Sequence, residues 1–315
     1  MGLRVGSGAQ RTPHPTSQPD GPSQLRTRAS LTYRAKTTVT RTPGKRATLA
    51  GATLAAAALL LTAPGGPATA TPGRGVSIYV AGDSTASVYD STLAPRTGWG
   101  QALPVFAGPR VTIQDHALSG ASSKSFVDLG LLDQILSTIA PGDFLLISFG
   151  HNDEKADEPR HTDPYTTYQD YLRLYVDGAR RHGAHPVLVT PVERRRFDAD
   201  GRALFSHGEY PEAMRQLGQA EHVPVIDLTT ASRDLWEHLG PTGTQAEFLW
   251  LDPGENPNYP DGVQDNTHFQ TQGAVDVARL IGRRLRRLLP PGSLIRLDQP
   301  HVPTTAIVWP APAPG

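Results

Sequence analysis

The sequence predicts an α/β fold with a central parallel sheet covered by helices on both faces. Three observations predict it. Short, almost wholly apolar runs recur at 76–81, 111–114, 143–149, 185–192 and 223–228. Strands of that kind belong to sheets buried on both faces, which antiparallel half-exposed sheets do not need. Amphipathic stretches lie between the runs. Polar motifs follow the first three runs, and open α/β sheets gather function at the carboxyl ends of their strands.

Each element has its own signal. The run at 76–81 ends in Gly82-Asp83-Ser84, and the shorter run at 111–114 ends in Asp115-His116-Ala117-Leu118-Ser119-Gly120. A helix over 126–139 carries Phe126, Leu129, Leu132, Ile135, Leu136 and Ile139, close to a 3.6-residue period. The third run, "DFLLISF", leads into Gly150-His151-Asn152-Asp153. Asp163 and Pro164 open the next helix as cap and first turn, and Gly183 closes it after 168–182. "HPVLVTPV" is the fourth strand, 210–221 a helix, and 223–228 the fifth strand. The last helix, 272–289, sets Ala274, Val277, Leu280, Ile281, Leu285 and Leu288 on one face and arginines on the other. The tail, 298–315, is Pro-rich and reads as loose.

The 315 residues are formally neutral, but the balance is uneven. Residues 1–70 hold nine Lys/Arg and one Asp, which leaves 21 basic and 29 acidic residues in 71–315, a net of −8. An acidic body argues against nucleic acid, whose binding rests on clustered Lys and Arg. Lys45 and Arg46 precede the uncharged Ala/Leu-rich run 47–63, and Ala68-Thr69-Ala70 is a small-residue cleavage pattern. Basic flank, apolar stretch and cut site together read as a secretory signal over about 45–70; the rival is a membrane anchor, for which the run is a little short and about half Ala. The domain expectation is thus an extension and signal at 1–70, a catalytic domain at 71–297 and a tail at 298–315. A secreted protein, a monomer with no stable membrane association after cleavage, is expected. The chain has no cysteine, so a core rather than disulfides must hold it, and thiol chemistry is excluded.

A serine at the end of the first strand is either an ordinary turn residue or a nucleophile seated where backbone N–H groups favour developing negative charge. A nucleophilic Ser84 needs a base. Of the eleven histidines, His268 stands out, because Asp265 precedes it by three residues in "DNTHF". That spacing brings a carboxylate to the imidazole Nδ1, where it fixes the tautomer and steadies the imidazolium. The alternative is an Asp helix cap beside an exposed histidine. Donors for an oxyanion are the Ser84 N–H, the Gly120 N–H and the Asn152 amide; Gly120 as a turn glycine and Asn152 as a loop cap are their plain alternatives. No metal or cofactor is called for.

Gly82-Asp83-Ser84, Gly120, Asn152 in "GHND" and Asp265-x-x-His268, in that order, resemble the SGNH (GDSL) hydrolase superfamily. The likeness runs from about Val76 to Leu289. "HALSGASSKSF", "TPVERRRFDADG", "LWLDPGENPNYPDG" and "DNTHF" resemble its rhamnogalacturonan acetylesterase branch. The resemblance implies a flavodoxin-like three-layer sandwich. It also implies Ser84 as nucleophile, Ser84, Gly120 and Asn152 as oxyanion donors, and His268 with Asp265 as base pair. Two positions depart from the branch, which often carries Asn and Arg where Asp115 and Ala121 stand. The absence of a G-x-S-x-G elbow removes the main signature of ordinary α/β-hydrolases.

The expected activity is removal of O-acetyl groups from an acetylated plant polysaccharide, most of all pectic rhamnogalacturonan. The rivals are an acetylxylan or small acyl-ester esterase, and an idle carbohydrate-binding protein of the same fold. Arg194, Arg195 and Arg196 follow the fourth strand, where Arg forks suit uronate carboxylates, although a solvated charge run reads slightly better. Phe248, Trp250 and Tyr259 lie where aromatics either stack on sugars or pack the loop onto the body. Arg194, Arg196, Trp250 and Tyr259 are carried forward as substrate-contact candidates.

Overall fold

The structure is a computed structural model that describes residues 74–157, 159–302 and 306–313. The expected signal segment lies outside the described residues. Five parallel strands form the central sheet: β1 (Val76–Gly82), β2 (Val111–Asp115), β3 (Phe144–Ser148), β4 (His185–Val189) and β5 (Val225–Ile226), in the order β2-β1-β3-β4-β5. The order reverses direction beside β1, so the crevice at the carboxyl ends of β1, β2 and β3 is the place for a site.

Alternation along β1 assigns its side chains to two cores. Ile78 and Val80 point to one face, with Val187 and Val189 of β4. That face is covered by α1 (Trp99–Ala102), α6 (Leu228–Gly243) and α7 (Thr271–Leu285) through Trp99, Trp236, Val277 and Ile281. Tyr79 and Ala81 point to the other, with Leu145 and Ile147. There α2 (Ser123–Asp128), α3 (Leu131–Leu136), α4 (Gln169–Arg181) and α5 (Tyr210–Ala220) pack through Phe126, Ile135, Tyr175 and Met214. Each fully buried Ile, Leu, Val or Phe contributes about 1.5–3 kcal/mol, enough to hold a chain without disulfides.

Several elements differ from their sequence reading. The helix expected over 126–139 is two, because Gly130 adopts φ 72° between them and starts the second from a left-handed residue. The fourth strand stops at Val189, ahead of Pro191, which has no N–H for a ladder. The fifth is only Val225–Ile226, and α6 begins at once, its N-cap Asp227 accepting from Thr230 N–H at 3.2 Å. That helix was not expected; Gly240 breaks it ahead of Pro241. The tail is not loose where it is described. Val302 and Ile307 join the core, Pro310 O accepts from Ser91 N–H at 2.9 Å, and Trp309 Nε1 donates to Arg96 O at 3.0 Å.

The Pro/Gly-rich segment before the last helix forms an antiparallel pair, β6 (Phe248–Leu251) with β7 (Val263–Phe269). Residues 265–268 therefore lie on a strand and not in a helix entry. Gln264 pairs with Trp250 and Phe269 with Phe248, so Leu249 alone stands opposite residues 265–268. The surplus residues bulge from the ladder, and bulges re-aim side chains.

Candidate active site

Ser84 follows β1 directly, in a turn built by its neighbour. The Asp83 carboxylate accepts from Thr85 N–H at 2.9 Å and from Thr85 Oγ1 at 2.8 Å. The Ser84 carbonyl accepts from the Tyr89 hydroxyl at 2.5 Å. Burial pushes the Tyr89 phenol up to about 12, which keeps it a donor. The Arg96 guanidinium lies 4.3 Å from the centre of the same ring.

The link from this turn to β7 runs through the backbone. Thr85 O accepts from Trp99 N–H at 2.9 Å, and Phe269 O from Thr97 N–H at 3.1 Å. Gly98 between them allows the approach, since a Cβ there would lie 2.2 Å from Ser87 O. His268 is thereby delivered to Ser84, 184 residues away in sequence: its Nε2 is 2.9 Å from Ser84 Oγ. Its Nδ1 is 2.6 Å from Asp265 Oδ2. Asp265 Oδ1 accepts from Thr267 N–H at 2.7 Å and His268 N–H at 3.0 Å. Burial raises the Asp265 carboxyl, but the His268 ring and these two backbone donors outweigh it and hold the group at about 2. An ionised Asp265 requires a proton on Nδ1, which leaves Nε2 free to accept one from Ser84 Oγ.

The expected oxyanion donors come from adjacent strand ends. Gly120 has φ 84°, a left-handed conformation that favours glycine, in a turn closed by Ala121 N–H donating to Leu118 O at 3.1 Å. Asn152 Nδ2 donates to Ala121 O at 2.9 Å. Asp153 accepts from Ser123 N–H at 3.1 Å and Thr162 Oγ1 at 3.1 Å. These bonds lock the loop after β3 to the loop after β2, so Gly120 and Asn152 share one frame. The Ser84 and Gly120 N–H groups donate to no acceptor among the described residues. His151 is buried beside Asp83 with Nδ1 3.4 Å from Oδ2, and burial followed by His207 pulls it down to about 4, so it is neutral.

The four substrate-contact candidates have different surroundings. Arg194 donates to Glu154 at 2.5 Å and lies within 3.3 Å of Ser206 O and His207 Nδ1, so its guanidinium is already paired within the fold. Arg196 is exposed, and its side chain makes no bond among the described residues. Trp250 donates its indole N–H to Asn266 Oδ1 at 3.1 Å, and the Arg195 guanidinium covers its ring at 4.2 Å. The Tyr259 hydroxyl donates to Leu93 O at 2.9 Å, tying its loop to the body. Phe248 is wholly buried core. Sequence reasoning missed Tyr89, Arg96 and Asn266, none of which has a local pattern, and grouped Arg195 with its two neighbours as a candidate uronate contact. Among the described residues, no group of three or more His, Asp or Glu is arranged to hold a metal ion.

Asp115, where the resemblance leads one to expect Asn, accepts from Ala117 N–H at 2.9 Å, while its Oδ2 is buried without a partner. Burial pushes it up to about 8. A folded-state pKa above the unfolded value gives stability that is full below about pH 4 and is lost as pH rises through about 8. The slope is at most about 1.4 kcal/mol per pH unit. Asp115→Asn should therefore gain melting temperature on the native protein between pH 5 and pH 8. Thermal unfolding across that range checks this; a difference that does not vary with pH would rule it out.

A serine hydroxyl, an imidazole and a carboxylate joined at the carboxyl edge of a three-layer parallel sheet define a hydrolytic class of α/β protein. Residues 80–274 match the GDSL-like lipase/acylhydrolase family, and the chain belongs to it. It is an ester hydrolase of that family. It is 47% identical over 213 residues to the rhamnogalacturonan acetylesterase RhgT of Bacillus subtilis, covering 68% of this chain and 90% of that protein. It is 34% identical over 212 residues to the rhamnogalacturonan acetylesterase of Emericella nidulans, covering 64% and 81%. The crystal structure of the Bacillus subtilis protein YxiM superposes with a TM-score of 0.58 at 27% identity, over 69% of this chain and 58% of that one.

Proposed function

We propose that the protein is an exported acetylesterase that removes O-acetyl groups from pectic rhamnogalacturonan by a Ser84–His268–Asp265 acyl-enzyme mechanism. The observation that carries the mechanism is the unbroken chain from Ser84 Oγ through His268 to Asp265, at 2.9 and 2.6 Å. The relatives named as rhamnogalacturonan acetylesterases support the substrate.

Ser84 Oγ attacks the acetyl carbon while His268 Nε2 takes its proton. The tetrahedral oxyanion is met by the N–H groups of Ser84 and Gly120 and the Asn152 amide; one such donor is typically worth ~10²–10³ in rate. His268 returns the proton to the sugar oxygen as the C–O bond breaks. Water then attacks the acetyl-Ser84, giving its proton to His268, which passes it to Ser84 Oγ as the acyl C–O bond breaks and acetate leaves. Asp265 stays ionised throughout and stabilises the imidazolium. The apolar run before Ala68-Thr69-Ala70 supports export, with the mature chain starting near Thr71.

Acetate release should be fastest on acetylated rhamnogalacturonan in a panel that also holds acetylated xylan, acetylated mannan and a small aryl acetate. N-terminal sequencing of the protein from culture supernatant should begin near Thr71. Faster turnover on acetylxylan would overturn the substrate, and a product retaining residues 47–63 would overturn cleavage.

A further inference from the structure

The segment that carries His268 and Asp265 is not held by its own strand. Between the Gln264–Trp250 and Phe269–Phe248 pairs, residues 265–268 have only Leu249 opposite them. The inward bonds of Asp265 shape the segment but do not fix it to the body. Asn266, an exposed residue between Asp265 and Thr267, does.

Its carbonyl accepts from Arg195 N–H at 2.9 Å. Its Oδ1 accepts from Arg195 Nη1 at 3.2 Å and from Trp250 Nε1 at 3.1 Å. Arg195 is itself fixed. Its guanidinium lies 4.2 Å from the Trp250 ring centre and 5.7 Å from that of Phe197, and its Nη2 donates to Pro241 O. Trp250 belongs to β6, Arg195 follows β4, and Pro241 sits at the break of α6. Two separate parts of the fold thus converge on the side-chain oxygen and the carbonyl of Asn266, and a third, the break of α6, holds Arg195 in place.

We infer that Asn266, Arg195 and Trp250 form a clamp that positions the His268–Asp265 pair against Ser84. They are positioning residues for the base, in a role distinct from that of Arg194 or Arg196. The inference rests on the reading of His268 as the base. It assigns Trp250 and Arg195 to holding that base instead of to sugar contact. A planar guanidinium stacked on an indole with both donors aimed at one oxygen has few ways to yield, so the loop cannot drift while the clamp is closed. Misplacement of a catalytic group by about 1 Å can cost on the order of 10²-fold in rate.

The test uses the whole mature enzyme and an aryl acetate. Asn266→Ala and Trp250→Phe remove the acceptor and the indole donor. Each should lower kcat about 10- to 100-fold with KM nearly unchanged, as loss of an orienting partner does. Asn266→Asp keeps an acceptor for both donors and should recover most of the Asn266→Ala loss. The downfield proton resonance of the His268–Asp265 hydrogen bond should be sharp in the native protein, broadened in Asn266→Ala and restored in Asn266→Asp. A purely structural role would lower melting temperature without changing that resonance. Native kcat in Asn266→Ala, a loss confined to KM, or a loss with the resonance intact would each overturn the clamp. Ser84→Ala in the same panel separates the two readings: if it stays active the base assignment fails, and if it is dead while Asn266→Ala is normal only the clamp fails.

Discussion

Ser84→Ala should remove acetyl-ester hydrolysis almost completely while the protein keeps its fold. The loss should be about 10⁴- to 10⁶-fold in kcat, the range seen when a triad nucleophile is deleted. The fold should survive because the structure uses Ser84 through its backbone and not its hydroxyl. The turn is made by the Asp83 carboxylate and Thr85, and the Tyr89 hydroxyl grips the Ser84 carbonyl; alanine leaves all of these in place. Among the described residues the hydroxyl itself bonds His268 Nε2 alone. The His268 side chain is partly exposed, so water can replace the lost bond and melting temperature should move by only a few degrees. Initial rates on an aryl acetate, with circular dichroism as the folding control, decide the matter. A folded Ser84→Ala protein with near-native turnover would remove the serine mechanism altogether.

The parts of this site that were legible in the sequence are those written locally. Three polar motifs each follow an apolar run, and a parallel sheet brings such ends to one edge whatever the loops do; Ser84, Gly120 and Asn152 are candidates on that ground. Asp265 and His268 were found because a carboxylate three residues from an imidazole is a short-range pattern. Their setting was misread. Pro253, Gly254, Pro257, Pro260 and Gly262 hide a hairpin whose two strands lie on either side of them, so the sequence set the pair just before the last helix without showing the bulge on β7 that carries it. The clamp was illegible for the same reason at longer range. Arg195 meets Asn266 across 71 residues and Trp250 meets it across 16, and nothing in "ERRRF" distinguishes the second arginine from its neighbours. Helix α6 was not expected, because its N-cap Asp227 and first residue Leu228 fall inside the run 223–228 that reads as the fifth strand. The tail misled by composition: its prolines suggested looseness, but Val302, Ile307 and Trp309 supply apolar side chains to the core beside α7.

Asp265→Asn and His268→Ala should separate the two members of the base pair. His268→Ala removes the acceptor for the serine proton in acylation and the water proton in deacylation, so its loss should approach that of Ser84→Ala. Asp265→Asn preserves shape and can still accept from Thr267 and His268 N–H through its oxygen. Its nitrogen then faces His268 Nδ1 and donates to it, which moves the ring proton to Nε2 and turns that atom away from general base chemistry; in a comparable triad this exchange costs ~10⁴ in kcat. The same substitution has a stability signature. Because the folded Asp265 sits at about 2, below its unfolded value, its contribution is fully present above about pH 4 and is lost as pH falls toward 2. A shift of that size is worth roughly 1–2 kcal/mol once its partial exposure is allowed for. Asp265→Asn should therefore melt lower than the native protein at pH 7 and approach it near pH 2. The double variant Ser84→Ala/His268→Ala should be little slower than either single one, because groups that act on the same proton cannot lose the same step twice. Additive losses in that double variant, or a folded His268→Ala with most of its kcat, would put the base elsewhere and leave the 2.9 Å contact with Ser84 without a catalytic role.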